Sequence, residues 1–180
     1  MPTYWVRRRA SRLCTASPGR LDAGQDFLAL VDYMHNTSGQ KELLPFLRSL
    51  TAGGLFILVI GATGDRDPSK RFPLGHTAAA YADVVVTDES PFSENPQRLR
   101  AEVAEGAREA GRAEAVVEPD RRRAFDLAVA FATGGDVLVV AGRGSQLHQT
   151  FGHTTKKFDD RRQLRAALQR AADVEPHGSI

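Results

Sequence analysis

The sequence predicts an α/β fold built on a mostly parallel sheet of five or six strands, and three observations carry that prediction. Apolar runs alternate with helix-like segments along the chain, the order that generates βαβ units. The runs are continuous rather than alternating, as in Phe27-Leu28-Ala29-Leu30-Val31 and Leu55 to Ile60, which marks strands covered on both faces. Each run ends in a loop rich in Gly, Asp, Ser and Arg. In open α/β sheets ligands bind just beyond that carboxyl end.

Taken in order, Met1 to Ala16 is a basic arm with Tyr4, Trp5 and Val6 as its apolar cluster, a feature that suits docking on a protein partner, and Ser17 to Arg20 reads as a turn. The first strand covers Phe27 to Tyr33. Ser38 is placed to cap a helix over Gly39 to Leu50, whose leucines at 43, 44, 47 and 50 share one face, with Pro45 an awkward interior residue. Leu55 to Ile60 is the second strand, Gly61 to Pro68 a glycine-rich loop, and Lys70 to Tyr81 a helix. Ala82 to Thr87 is the third strand and Pro96 to Ala110 the next helix. Ala113 to Val117 makes a short strand, Asp120 to Thr133 a helix, and Asp136 to Ala141 the fifth strand. A last helix runs from about Asp159 to Ala172, leaving 173–180 as a tail and 17–172 as one domain. Right-handed crossovers place the loops 32–37, 61–71, 88–94 and 142–148 on one edge of the sheet.

Composition narrows the function classes. The chain has 180 residues, 42% hydrophobic, with 24 Lys and Arg against 22 Asp and Glu. A core can form, and near-balanced charge argues against a dedicated nucleic-acid binder. The clusters Arg7–Arg9, Arg121–Arg123 and Arg161-Arg162 read as solvated faces or helix ends. One cysteine, Cys14, allows no internal disulfide and suits a reducing, cytoplasmic setting. No apolar run reaches the roughly 20 residues that span a bilayer.

The loops carry the chemistry. Asp32 can accept from ribose hydroxyls and His35 can stack on a base; equally, Asp32 can cap its turn and His35 pack on the sheet edge. A purely ligand-binding Asp32 would tolerate replacement by Ala with little loss of stability, whereas a structural cap would not. In Gly61-x-x-Gly64-Asp65-Arg66, glycines admit close backbone approach and Arg66 can clamp a carboxylate, with Lys70 and Arg71 at a helix start; a glycine turn with solvated charges is the alternative. Gly142-Arg143-Gly144 is a further backbone-approach loop. The P-loop pattern is absent from the chain. His148 and His153 lack partners at metal-ligand spacing, and Ser145 lacks a nucleophile-elbow context. In Phe158-Asp159-Asp160-Arg161, one Asp is expected as helix cap and the other as first-turn acid.

Six stretches in order are Pro18-Gly19-Arg20, Asp32-Tyr33-Met34-His35, Gly64-Asp65-Arg66-Asp67-Pro68-Ser69-Lys70-Arg71, Asp88-Glu89-Ser90-Pro91-Phe92, Ala141-Gly142-Arg143-Gly144-Ser145-Gln146 and Phe158-Asp159-Asp160-Arg161. Together, from about Ser17 to Leu168, they resemble the C-terminal, glutamate-ligase domain of the Mur ligase family, most closely its tripeptide-forming members. The Asp-Tyr-x-His-Asn form is also similar to cyanophycin synthetases. The resemblance implies a Rossmann-like three-layer domain that closes over ATP and brings in the amino acid during amide-bond formation in peptidoglycan-precursor synthesis. ATP and Mg2+ would act in the complete enzyme, neither held stably by this chain alone, and a P-loop-bearing Mur-type central domain or chain would be the partner.

The resemblance also implies residue roles. Arg20, Asp32, His35 and Asn36 would bind ATP. Arg66 would grip the incoming amino acid's carboxylate, while Asp88, Ser90, Phe92, Gly142 and Gln146 would read its side chain. Lys70 and Arg71 would sit at the closed-state interface. No residue here would be catalytic or bind metal. Where diaminopimelate-adding members carry Arg and Glu, this chain has Phe92 and Gln146, which implies a less charged amino acid. The other reading of these departures is a standalone, non-catalytic nucleotide- or amino-acid-binding derivative.

Overall fold

The structure is a computed structural model that describes residues 19–51, 53–110 and 115–174. Elements follow in the order β1 (Gly19–Leu21), β2 (Leu28–Val31), α1 (Thr37–Ser49), β3 (Phe56–Ile60), a 3-10 turn (Pro68–Lys70), α2 (Arg71–Ala79) and β4 (Asp83–Val86). Then come α3 (Pro96–Glu109), β5 (Val116–Val117), α4 (Arg121–Phe131), β6 (Val137–Val140), β7 (His148–Phe151), β8 (Thr154–Lys157) and α5 (Asp160–Val174). The basic arm at 1–16 and residues 175–180 of the tail lie outside the described residues, and α5 continues two residues beyond the expected helix end.

The main sheet has six strands in the order β1-β2-β6-β3-β4-β5, all parallel except β1, which runs antiparallel to β2. Every residue of β3 is buried, the outcome that its unbroken Phe-Ile-Leu-Val-Ile sequence requires. Strand side chains alternate between two cores. On one face Leu58, Ile60, Val84 and Val139 meet α1, α2 and α3 through Leu44, Leu74 and Val103. On the other, Ile57, Val59, Val85 and Leu138 meet α4 and α5 through Phe125, Ala128, Leu164 and Leu168. The result is a Rossmann-like, three-layer domain.

Local signals explain most boundaries. Asp120 caps α4 by accepting from the amides of Arg122 and Arg123, and Asn95 caps α3 ahead of Pro96 at its first position. Three expectations need correction. The cap of α1 is Asn36, whose side chain accepts from Gly39 N, and the helix begins at Thr37, so Ser38 already lies inside it. Gly19 and Arg20 form the edge strand β1, not a turn: their amides pair with β2 because the parallel sheet leaves that edge open. A two-stranded hairpin, β7-β8, occupies a segment for which the sequence suggested no element. Helix α1 is continuous through Pro45.

Candidate functional site

β2 leads into α1 on one face of the sheet, and the chain leaving β6 reaches α5 on the other. The crevice between the carboxyl ends of β2 and β6 is therefore a topological switch point, where doubly wound sheets bind ligands. Asp32 stands at its wall, hydrogen-bonded from its amide to Val140 O at 2.9 Å. It is 4% exposed. Its Oδ1 accepts from Met34 N at 2.7 Å, closing an Asx turn, while Oδ2 is buried with no hydrogen-bond partner among the described residues. Burial pushes the carboxyl up, against the pull of the Met34 and Tyr33 amides. One oxygen is thus structural and the other is an unused acceptor. The expected turn-capping role is met by Oδ1 alone. His35 is exposed, its Nδ1 3.0 Å from Tyr33 O and its ring 4.8 Å from that of Tyr33. Asn36 spends its Oδ1 on the helix cap.

The β3 and β4 loops are stitched together. Gly64 N donates to Ser90 O at 2.9 Å, Asp65 N to Glu94 Oε1 at 2.6 Å, and Ser93 Oγ to Asp65 Oδ1 at 2.7 Å. Arg71 fastens this junction from below. Its Nη2 reaches both oxygens of Glu94 at 2.6 and 2.8 Å, and its Nη1 reaches Glu102 at 3.0 Å. The Arg71 hydrogen bond holds the Glu94 carboxyl below its usual range. Arg71 is 2% exposed, so it supports the loop from within, where a solvated or interface residue was expected. Arg66 and Lys70 are exposed on the rim, and the Arg66 carbonyl accepts from Arg71 at 3.4 Å.

Beneath the crevice lies a buried charge cluster that sequence reasoning missed. Arg121 grips Asp160 with Nε at 3.0 Å and Nη2 at 2.7 Å. Arg143 adds Nε to the same carboxylate at 3.3 Å, then donates to His148 O at 2.9 Å and Phe158 O at 3.0 Å. All three side chains are at most 1% exposed. Arg121 is therefore not a solvated helix end, and Asp160 is not the cap of α5. Asp159 is the capping residue, accepting from the amides of Arg161 and Arg162. Glu89 sits beside this cluster with Oε2 2.6 Å from the Thr63 hydroxyl and Oε1 buried without a hydrogen-bond partner among the described residues. Burial drives its carboxyl up, opposed by the nearby Arg121 and Arg143 guanidiniums. Gly142, at φ +103, makes room for it, since a Cβ there would stand 1.9 Å from Oε1.

The remaining residues of the expected recognition set surround this point. Asp88 pairs with Arg100 and its carbonyl accepts from Gln149 Nε2 at 3.1 Å. Burial raises the Asp88 carboxyl and Arg100 lowers it. Ser90 Oγ takes bonds from Thr150 N at 3.2 Å and Arg143 Nη1 at 3.4 Å. Phe92 has φ +50 and exchanges backbone bonds with the hairpin, from its amide to Thr150 O at 3.2 Å and to its carbonyl from Gly152 N at 2.6 Å. Gln146 is exposed, its amide closing the turn onto Arg143 O. Gly144 abuts Tyr33, which links this loop to that of Asp32. Asp32, Asp88, Ser90, Phe92, Gly142 and Arg71 thus belong to one connected edge. Arg20 stands apart, in a cleft between β1 and α5.

Among the described residues no three His, Cys, Asp or Glu side chains gather as a metal-binding group. Nor is any helix among them long and apolar enough to cross a membrane.

The parallel sheet, its switch point between β2 and β6 and its two helical layers define a domain of the doubly wound α/β class. The chain belongs to the Mur ligase family: residues 19–144 match its glutamate ligase domain. It is 46% identical over 175 residues to the UDP-N-acetylmuramoyl-L-alanyl-D-glutamate--2,6-diaminopimelate ligase of Corynebacterium efficiens, covering 93% of this chain and 33% of that protein. The enzyme of the same name from Streptomyces avermitilis is 43% identical over 159 residues, 84% of this chain and 31% of that one. The chain spans about a third of the length of these curated relatives. A solved ligase of that name superposes with a TM-score of 0.79 at 27% identity, over 86% of this chain and 31% of its own. The UDP-N-acetylmuramate-alanine ligase of Thermotoga maritima, at 15% identity and a TM-score of 0.56 over 89% of this chain and 30% of its own, shares the fold.

Proposed function

We propose that this domain supplies the ATP-binding and amino-acid-binding half of a cytoplasmic amide-bond ligase that extends a peptidoglycan-precursor peptide. The reading rests on one observation: at the carboxyl end of β2 the Oδ2 of Asp32 is a buried acceptor with no hydrogen-bond partner among the described residues. Asp32 would take a ribose hydroxyl and His35 and Asn36 the adenosine surroundings, with Arg20 directed to phosphate. Arg66 would hold the amino acid's carboxylate, and Asp88, Ser90, Phe92, Gly142 and Gln146 would bound its side chain. Lys70, exposed on the rim, would lie toward a P-loop-bearing central domain, which would supply the phosphate cradle and Mg2+, while Arg71 would brace the loop from within. In the reaction ATP phosphorylates a carboxylate and the amine displaces the phosphate. The contribution of this chain would be positioning and exclusion of water on closure.

Ser90 and Phe92 favour a second reading. Their polar groups are already engaged by Arg143, Thr150 and Gly152, as suits a binding derivative without catalysis. One experiment separates the two. The chain is combined with a P-loop-bearing Mur-type chain, a UDP-N-acetylmuramoyl dipeptide and a panel of amino acids, and ADP release is followed. Turnover that requires both chains and is lost with Arg66→Ala supports the ligase reading. Calorimetric binding of ATP and an amino acid without turnover in any pairing supports the second.

A further inference from the structure

Arg66 exposes its side chain to solvent, while the backbone on both sides of it is tied down. On its amino side Asp65 has φ +54, in the left-handed region where a residue with a side chain stays only when its surroundings hold it. The β4 loop provides that hold. Asp65 N donates to Glu94 Oε1 at 2.6 Å, and Asp65 accepts from Ser93 Oγ at 2.7 Å and Ser93 N at 3.4 Å. On its carboxyl side Asp67 accepts from Ser69 N at 3.0 Å and Ser69 Oγ at 2.7 Å. We propose that Glu94 is a positioning residue for Arg66: by gripping the Asp65 amide and the Arg71 guanidinium together, it fixes the backbone from which Arg66 presents its fork to a carboxylate. That Arg66 meets a carboxylate rests on the function proposed above, whereas the coupling of Glu94 to Arg66 rests on the junction alone.

Glu94 is where the ties converge. Its Oε1 accepts from Asp65 N and from Arg71 Nη2, each at 2.6 Å, and its Oε2 takes the same Nη2 at 2.8 Å. That nitrogen also donates to the Arg66 carbonyl at 3.4 Å. The sequence Asp65 N, Glu94 Oε1, Arg71 Nη2, Arg66 O therefore closes a ring around the Asp65–Arg66 peptide. The ring is seated on firm ground. Glu94 N donates to Pro91 O at 3.0 Å, and Gly64 lies so close to Pro91 that a Cβ would stand 1.9 Å from its carbonyl oxygen. Arg71 is 2% exposed and is held from behind by Glu102 at 3.0 Å.

The chemistry of the ring suits a fixed support. Its Glu94–Arg71 bonds join two charges, the stronger class of hydrogen bond, and the Arg71 bond keeps the Glu94 carboxyl below its usual range, so it remains an acceptor. A junction that served stability alone would be met by glycine at position 65, which enters the left-handed region freely. Asp65 enters it and also gives Ser93 an acceptor, which adds a further tie beside Arg66. A long side chain that must meet a ligand in a two-pronged geometry gains from a backbone root that does not move, because small misplacements are costly.

The test uses the full chain in the two-chain ADP-release assay, with the amino acid of the panel that turns over fastest. Glu94→Ala should raise the KM for that amino acid about tenfold, leaving kcat and the KM for ATP unchanged. Ser93→Ala, an exposed change that removes one tie to Asp65 and spares Arg71, should raise it about threefold. Both effects should shrink below about twofold in an Arg66→Lys background, because a flexible point charge has little geometry to lose. Glu102→Gln is the structural control: it loosens Arg71 away from Asp65, lowers the thermal midpoint and leaves the KM as it was. An unchanged KM in Glu94→Ala, an equal rise in the KM for ATP, an equal effect in Glu102→Gln, or a full effect in the Arg66→Lys background overturns the proposal. If no pairing turns over, the free chain decides by NMR. An Arg66 amide order parameter near 0.85 in the wild type that falls below about 0.6 in Glu94→Ala but not in Glu102→Gln supports the positioning role and removes the ligase reading. An Arg66 amide already mobile in the wild type, or equally ordered in Glu94→Ala, overturns the positioning role.

Discussion

Replacing Asp160 by Asn tests whether the buried cluster organises the site. The change is nearly isosteric but removes the charge that offsets two guanidiniums. Asp160 receives three bonds, at 2.7, 3.0 and 3.3 Å, from arginines at most 1% exposed. Stranding one buried charge by deleting its partner costs about 3–5 kcal/mol. Here Arg143 keeps carbonyl partners at His148 and Phe158, and Arg121 keeps Ala141 O, so the lower half of that range, about 3 kcal/mol, is expected. Urea unfolding should show a reduced midpoint with an unchanged slope, and the thermal midpoint should fall by about 6–12 °C. A loss below about 1 kcal/mol would refute the reasoning, because surface pairs contribute no more than that. Replacing all three residues with hydrophobic ones of similar volume should recover much of the stability.

Two further outcomes follow from the same edge. Burial raises the Glu89 carboxyl, so the folded state holds that proton more tightly than the unfolded chain. Its contribution to stability is greatest below the unfolded pKa, roughly 4.3, and declines as pH rises toward the folded value. Glu89→Gln should flatten that decline in chemical unfolding measured from pH 4 to 8, and parallel curves for the two proteins would contradict the assignment. Gly142→Ala combines a φ of +103 with a contact 1.9 Å from Glu89 Oε1. It should cost about 1–3 kcal/mol and displace Glu89, which amide exchange at Thr63 and Glu89 would report; wild-type stability would rule out the close contact.

The parallel strands were legible because burial on both faces demands uninterrupted apolar residues, as Phe56 to Ile60 has. The loop edge was legible because strand ends and crossovers fix where loops must go. Other features left weaker marks. β1 has three residues, Gly-Arg-Leu, too few for periodicity. The β7-β8 strands are polar and mostly exposed, and the signal that could have found them is Gly152-His153 between threonine-bearing segments that pair in two-residue-loop register. The buried cluster was invisible for another reason. Arg121 and Asp160 lie 39 residues apart, and a charge reads as solvated until its partner is known. Asp32 drew attention by its place at a strand end, but its division between a turn-capping oxygen and a buried acceptor without a partner among the described residues depends on backbone geometry that residue type does not encode.

The Phe92 junction bears on how recognition in this domain can be altered. Its backbone is bonded on both sides to the hairpin, at Thr150 and Gly152, and Ser90 accepts from Thr150 N as well. Residues 88–95 and 148–157 therefore form a single cassette despite being far apart along the chain. A graft that imports only the first stretch from a relative must rebuild four hydrogen bonds against a foreign hairpin, whereas one that carries both stretches brings its own support. On the function proposed above, selectivity for an incoming amino acid would pass between proteins as a pair of segments, with the mostly exposed, polar hairpin constrained as tightly as the loop it braces.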